Sequence, residues 1–75
     1  MGEKKDHRYH LLVIGGVVSH ELMMLGRIDI PKTDFHWYVL TKFIKNRVDD
    51  YMKKEIDIPF DEYITNALTN RFGIE

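Results

Sequence analysis

No cysteine occurs among the 75 residues, so no disulfide staples the chain and no thiolate is there to hold a metal. Net charge is nearly absent as well: 11 Lys and Arg stand against 12 Asp and Glu, a balance of −1. A generic nucleic-acid binder carries a basic field that neutralises phosphates, and this composition supplies none overall. Long hydrophobic runs are missing. The longest stretch, Leu11 to Val18, is interrupted by Gly15-Gly16 and falls far short of the ~20 apolar residues that span a bilayer. The first six residues include four charged ones and lack the apolar core of a secretory signal, and Asp6 stands where a myristoylation motif has Ser or Thr. These absences lead to the expectation of a cytoplasmic protein with no membrane role.

A chain this short hides a smaller share of its surface than a large domain, and nothing covalent compensates. Pairing with itself or with another protein is therefore the expected source of extra buried surface, and a homodimer the expected state. Residues 1–7 mix charges without apolar periodicity and read as a disordered tail, leaving 8–75 as a single domain.

The apolar centre of the sequence reads as a β-hairpin. Tyr9 to Ile14 is rich in strand-favouring residues, and Gly15-Gly16 tolerates the positive φ that a two-residue turn requires. With the turn placed there, alternation puts Tyr9, Leu11, Val13, Val18, His20, Leu22 and Met24 on one face. The opposite face receives His10, Leu12, Ile14, Val17, Ser19, Glu21, Met23 and Leu25. That second face holds too many apolar groups to stay wet, which marks it for a helix or a second subunit. A rival reading exists for the second half: Ser19 caps a short helix that Gly26 terminates.

Two helices follow. Arg27 to Ile30 alternates polar and apolar and stops at Pro31. Thr33-Asp34 opens a helix reaching about Lys54, with Trp37, Leu40, Phe43, Ile44, Val48 and Tyr51 on one stripe. Phe35 and Tyr38 fall off that stripe, so the first two turns are apolar nearly all round. Ile56-Asp57-Ile58-Pro59 repeats the boundary pattern Ile28-Asp29-Ile30-Pro31, and a second helix runs from about Phe60 to Arg71 with Gly73 as its stop. The predicted fold class is thus α+β, a ββαα arrangement.

Candidate chemistry is sparse. In the hairpin register His10 and His20 lie on opposite faces, and His10 opposite Glu21 makes two ligands, fewer than a zinc site uses. His20-Glu21 begins like a zinc-protease helix, but Met24 stands where the second histidine belongs. Gly15-Gly16 lacks the third glycine of a dinucleotide loop. Ser19 and His20 adjoin in sequence, which in a strand points them apart. No metal, no cofactor and no catalytic residue is assigned, and a non-catalytic protein is expected.

Arg27 to Ile30, then Pro31 and two helices, the second carrying Ile64, Ala67 and Leu68, resembles the ribbon-helix-helix repressors. That resemblance implies a dimeric DNA-binding transcriptional regulator whose paired strands read the major groove. It covers about half the chain. The outward strand residues would be Arg27 and Asp29, an aspartate facing DNA, and both the long first helix and the preceding hairpin depart from the family.

The leading expectation is a small protein-binding module, an inhibitor or regulator of a larger protein of the kind phages and mobile elements encode. Its partner is another protein, or itself as a homodimer, with nucleic acid second. The residues expected at its interface are Leu12, Ile14, Val17, Met23 and Leu25 on the second hairpin face, with Phe35 and Tyr38 on the long helix.

Overall fold

The computed structural model describes the backbone of residues 2–74 and the side chains of residues 7–74. Apart from His7, the tail expected over residues 1–7 lies outside the residues whose side chains are described. Three helices make up the domain: α1 (Gly2–Met24), α2 (Asp34–Lys53) and α3 (Phe60–Phe72). There is no strand or sheet among the described residues. The only β-type pairing there is an isolated antiparallel bridge between Ile28 and Gly73.

The predicted α+β class and its N-terminal hairpin are therefore corrected: the whole stretch expected to form two strands is one helix. On a helix, Leu11, Gly15, Val18 and Leu22 line up at spacings of three and four, with Leu12, Ile14, Ser19 and Met23 flanking them. Leu11, Leu22 and Met23 are buried in the core, and Leu12, Ile14 and Val18 pack against it. Glycine weakens a helix interior by ~1 kcal/mol relative to alanine, but Gly15 sits at a helix crossing. A Cβ on it would lie 2.6 Å from Ile44 Cγ2 and 3.9 Å from Phe60 Cε2. The glycine permits close approach of three helices and makes no turn.

The end of α1 follows the rival reading at Gly26 but not at its start: Ser19 lies inside the helix, its hydroxyl bonded back to Gly16 O, and caps nothing. Gly26 takes φ +72°, the Gly26 N–H donates to Met23 O (3.0 Å), and the Arg27 N–H reaches back to Leu22 O (2.9 Å). This is a Schellman closure, for which glycine avoids the Cβ clash of the left-handed region. At the start of α2, Thr33 Oγ1 accepts from the His36 N–H at 3.1 Å, and Asp34 lies in the first turn. Both features satisfy exposed N–H groups and the positive end of the helix dipole. Helix α3 starts after Pro59 with Asp61 and Glu62 in its first turn and ends at Gly73, whose N–H donates to Thr69 O.

The helices run up, down and up. Arg8 pairs with Asp49 at 2.9 Å, and Gly15 meets Ile44, so α1 and α2 are antiparallel. Phe43 stacks edge-on against Phe72 and Tyr51 against Phe60, so α2 and α3 are antiparallel as well. The core is Leu11, Leu22 and Met23 of α1, Leu40, Ile44 and Val48 of α2, and Phe60, Ile64 and Leu68 of α3, closed by Ile28. Helix α1 is the element that both others pack on. The Ile-Asp-Ile-Pro segments do not pair with each other. Ile28 is fully buried and flanked by the bonds Asp29 N–H to Phe72 O and Ile74 N–H to Arg27 O (both 3.2 Å), whereas Ile56 is half-buried and Ile30 and Ile58 are exposed. The Tyr51 hydroxyl donates to the Ile58 carbonyl and pins the second loop.

Candidate protein-binding surfaces

Among the described residues, three surfaces bear on binding. The first is the outward face of α1. Residues 9, 13, 17, 20 and 24 share one sector of the helix, and Tyr9, Val13, Val17 and Met24 there are 44% to 74% exposed. His20 lies among them, and Gly16, halfway along the face but turned towards the α1–α2 groove that it lines, is open: a Cβ on it would meet nothing within 4 Å. Helix α1 is thus apolar on both sides, the composition of a helix that is buried all round. Gly16 plays no part in the crossing that explains Gly15.

The second surface is a groove of about 400 Å³ between α1 and α2. Its floor is Leu12, Met23, Leu40 and Ile44; Trp37 and Lys45 stand on the α2 rim and His20 on the α1 rim. The third is a shallower groove of about 430 Å³ between α2 and α3, walled by Phe43 and Arg47 on one side and Tyr63, Asn66 and Asn70 on the other. Arg71 lies at its junction with a neighbouring depression that includes Tyr38, Lys42 and Asn46.

The residues expected at an interface are dispersed by the helical geometry. The second hairpin face does not exist as a surface, because alternate residues of a helix point in all directions. Met23 is core, and Ile14 packs on the core. Leu12 and Met23 meet in the α1–α2 groove. Val17 belongs to the outward face of α1, and Leu25 is exposed just past its end. Phe35 and Tyr38 are 68% and 58% exposed on the first turns of α2, with Tyr38 beside Lys42 (5.7 Å from Nζ to the ring centre). Sequence reasoning does not pick out Tyr9, Val13 and Met24 as surface or Asn66, Asn70 and Arg71 as a groove. Reading residues 9–24 at helical period would have found the first set.

The chemistry-bearing residues are not assembled into a centre. His10 and Glu21, opposite each other in the hairpin register, are eleven residues apart on one helix, ~16 Å of rise. Ser19 is buried, and its hydroxyl donates to Gly16 O at 2.8 Å, while His20 is exposed. Among the described residues no group of three His, Cys, Asp or Glu converges. No helix among them is long and apolar enough to cross a membrane. Arg47 is held on several sides: its Nη2 pairs with Asp50 and its Nη1 reaches Tyr63 Oη at 3.5 Å. Its guanidinium lies 5.5 Å from the centre of the Phe43 ring, and its Nε is buried without a partner.

No protein-family model matches the chain, and comparison with curated proteins and with solved structures gives no match either.

Proposed function

We propose that the chain is a small, non-catalytic, cytoplasmic protein-binding module that works as a homodimer and acts as an inhibitor or regulator of a larger protein. The observation that carries this reading is the outward face of α1: Tyr9, Val13, Val17 and Met24 form an exposed apolar stripe on a helix whose other side is already core. Apolar surface of this kind is stabilised by burial at ~25 cal/mol per Å², and a contiguous exposed patch marks an interaction site.

The stripe is also self-complementary. A two-fold axis passing between Gly16 and Val17, perpendicular to the helix, sets Tyr9 of one copy beside Met24 of the other and Val13 beside His20. Gly16 then faces Val17. Such an isologous arrangement is the commonest way for identical chains to pair, and Tyr with Met is a favourable sulfur–aromatic contact. The open Gly16 at the edge of the face adds no side chain that would hold the two helices apart.

Light scattering on the full chain and on the Val13→Lys and Val17→Lys variants tests the reading. Both residues are exposed, so the variants keep the fold, which circular dichroism verifies. The wild type is expected at twice the mass of either variant. A wild type that is monomeric at every accessible concentration, with the same mass as the variants, overturns the dimer.

A further inference from the structure

We propose that the groove between α2 and α3 binds an extended acidic segment of a partner protein. The inference rests on the protein-binding reading above and adds the chemistry of the partner. Its first ground is charge. No carboxylate lines the groove or the depression that continues it. Of the cations there, Arg47 is already committed to Asp50 and Tyr63. Arg71 is exposed, lies 5.3 Å over the Phe72 ring and makes no ion pair among the described residues. Lys42 rests against Tyr38, its Nζ 3.4 Å from the hydroxyl. Arg71 at the end of the groove and Lys42 in the adjoining depression thus stand as positive groups against aromatic rings and open to a carboxylate, with which arginine forms bidentate bonds.

The second ground is spacing. Asn66 and Asn70 are exposed, one turn apart on α3, and both line the groove. Residues four apart on a helix are ~6 Å apart along its axis. An extended peptide advances ~6.6 Å for every two residues. Each asparagine amide offers a donor and an acceptor, the complement of one backbone peptide group. The pair therefore matches successive peptide groups on one edge of an extended chain. Phe43, Ile58 and Tyr63 supply apolar surface for its alternate side chains. A phosphate backbone fits less well, since of the described cations lining the groove and its continuation only two are uncommitted, and the Asp50 carboxylate stands next to Arg47.

Fluorescence anisotropy of a labelled ten-residue alternating Glu-Val peptide against the full chain tests the proposal. A Lys-Val peptide and a single-stranded oligothymidylate of equal length are the comparison probes. The acidic peptide is expected to bind, the other two to bind at least about tenfold more weakly. Arg71→Glu, and Asn66→Ala with Asn70→Ala, are each expected to weaken the acidic peptide about tenfold, the loss of one charge-assisted or two neutral hydrogen bonds. All three positions are exposed, so unchanged circular dichroism separates a binding defect from a folding one.

Unchanged affinity in those variants overturns the groove as the site. Tighter binding of the oligothymidylate overturns the peptide in favour of nucleic acid. If no peptide binds while the chain still dimerises through α1, the groove inference falls and the protein-binding reading survives. If dimerisation is absent too, both fall.

Discussion

Gly15 and Gly16 are neighbours with opposite surroundings, and replacing each by alanine separates what they do. In a helix interior alanine is favoured over glycine by ~1 kcal/mol. At Gly16 nothing lies within 4 Å of the added Cβ, so Gly16→Ala is expected to stabilise the monomer by about that amount. At Gly15 the added Cβ would sit 2.6 Å from Ile44 Cγ2. That methyl belongs to a β-branched side chain with one strongly preferred helical rotamer, so it cannot swing aside cheaply. Ile44 is itself a core residue on α2. Overpacking of this kind costs about 1–3 kcal/mol, which cancels or outweighs the propensity gain. Gly15→Ala is therefore expected to lie between neutral and about 2 kcal/mol destabilising, and the two variants to differ by about 1–3 kcal/mol.

The measurement is urea and thermal unfolding followed by circular dichroism, made in a Val17→Lys background so that self-association does not enter. For a domain of this size 1 kcal/mol corresponds to about 4–8 °C in Tm, so the difference is resolvable. A two-residue hairpin turn would need positive φ at one or both glycines, and alanine would then be costly at each turn position that has it. Finding Gly16→Ala as destabilising as Gly15→Ala would refute a helix through this segment.

Other consequences concern the helix ends and the core. Glu55 follows the end of α2 with φ +49°, the position at which Ile56 N–H reaches back to Tyr51 O (3.4 Å). The left-handed conformation costs a non-glycine residue roughly 1–2 kcal/mol, so Glu55→Gly is expected to raise stability by about 1 kcal/mol in denaturant titration, less what glycine gains in the unfolded chain. Leu68 is fully buried between the helices, and Leu68→Ala should lower stability by about 2–5 kcal/mol in the same titration.

Helices α2 and α3 are legible in the sequence, whereas α1 and with it the fold class are not, for a physical reason. Helices α2 and α3 announce themselves through Pro31 and Pro59, the Thr33 cap, acidic first turns and Gly73, and their apolar residues fall on one stripe. Leu40, Ile44 and Val48, and Phe60, Ile64 and Leu68, are the buried positions of those stripes. Helix α1 carries two apolar faces where the others carry one stripe. Apolar residues surround it, so period 2 and period 3.6 fit residues 9–24 almost equally well. Its β-branched valines and its glycine pair then favour a hairpin by local rules. The glycine that looks like a turn is a point of tertiary contact, visible only once Ile44 is placed against it. Of the local signals on which the rival reading rests, Gly26 is the one that the helix end uses.

The same ambiguity hides the candidate surfaces. Alternation groups Leu12, Ile14, Val17, Met23 and Leu25, whereas the helix sends Ile14 and Met23 to the core and Val17 and Leu25 outward. An excess of apolar groups on the N-terminal segment is nevertheless readable from composition alone. It is expressed as a second apolar face on α1.

Because the chain lacks cysteine, one cross-linking experiment can probe the antiparallel pairing of α1 helices about Gly16 and Val17. Val13→Cys and His20→Cys chains, alone and mixed, are oxidised and the disulfide-linked products identified by mass. The two-fold arrangement sets residue 13 of one copy beside residue 20 of the other. It leaves the two copies of residue 13 displaced by ~10 Å along the helices, too far for a disulfide, which needs Cα atoms within about 7 Å. A 13–20 cross-link is expected in the mixture, with little self-linked product from either chain alone. A dominant 13–13 product, or no cross-link at any concentration, would contradict the pairing.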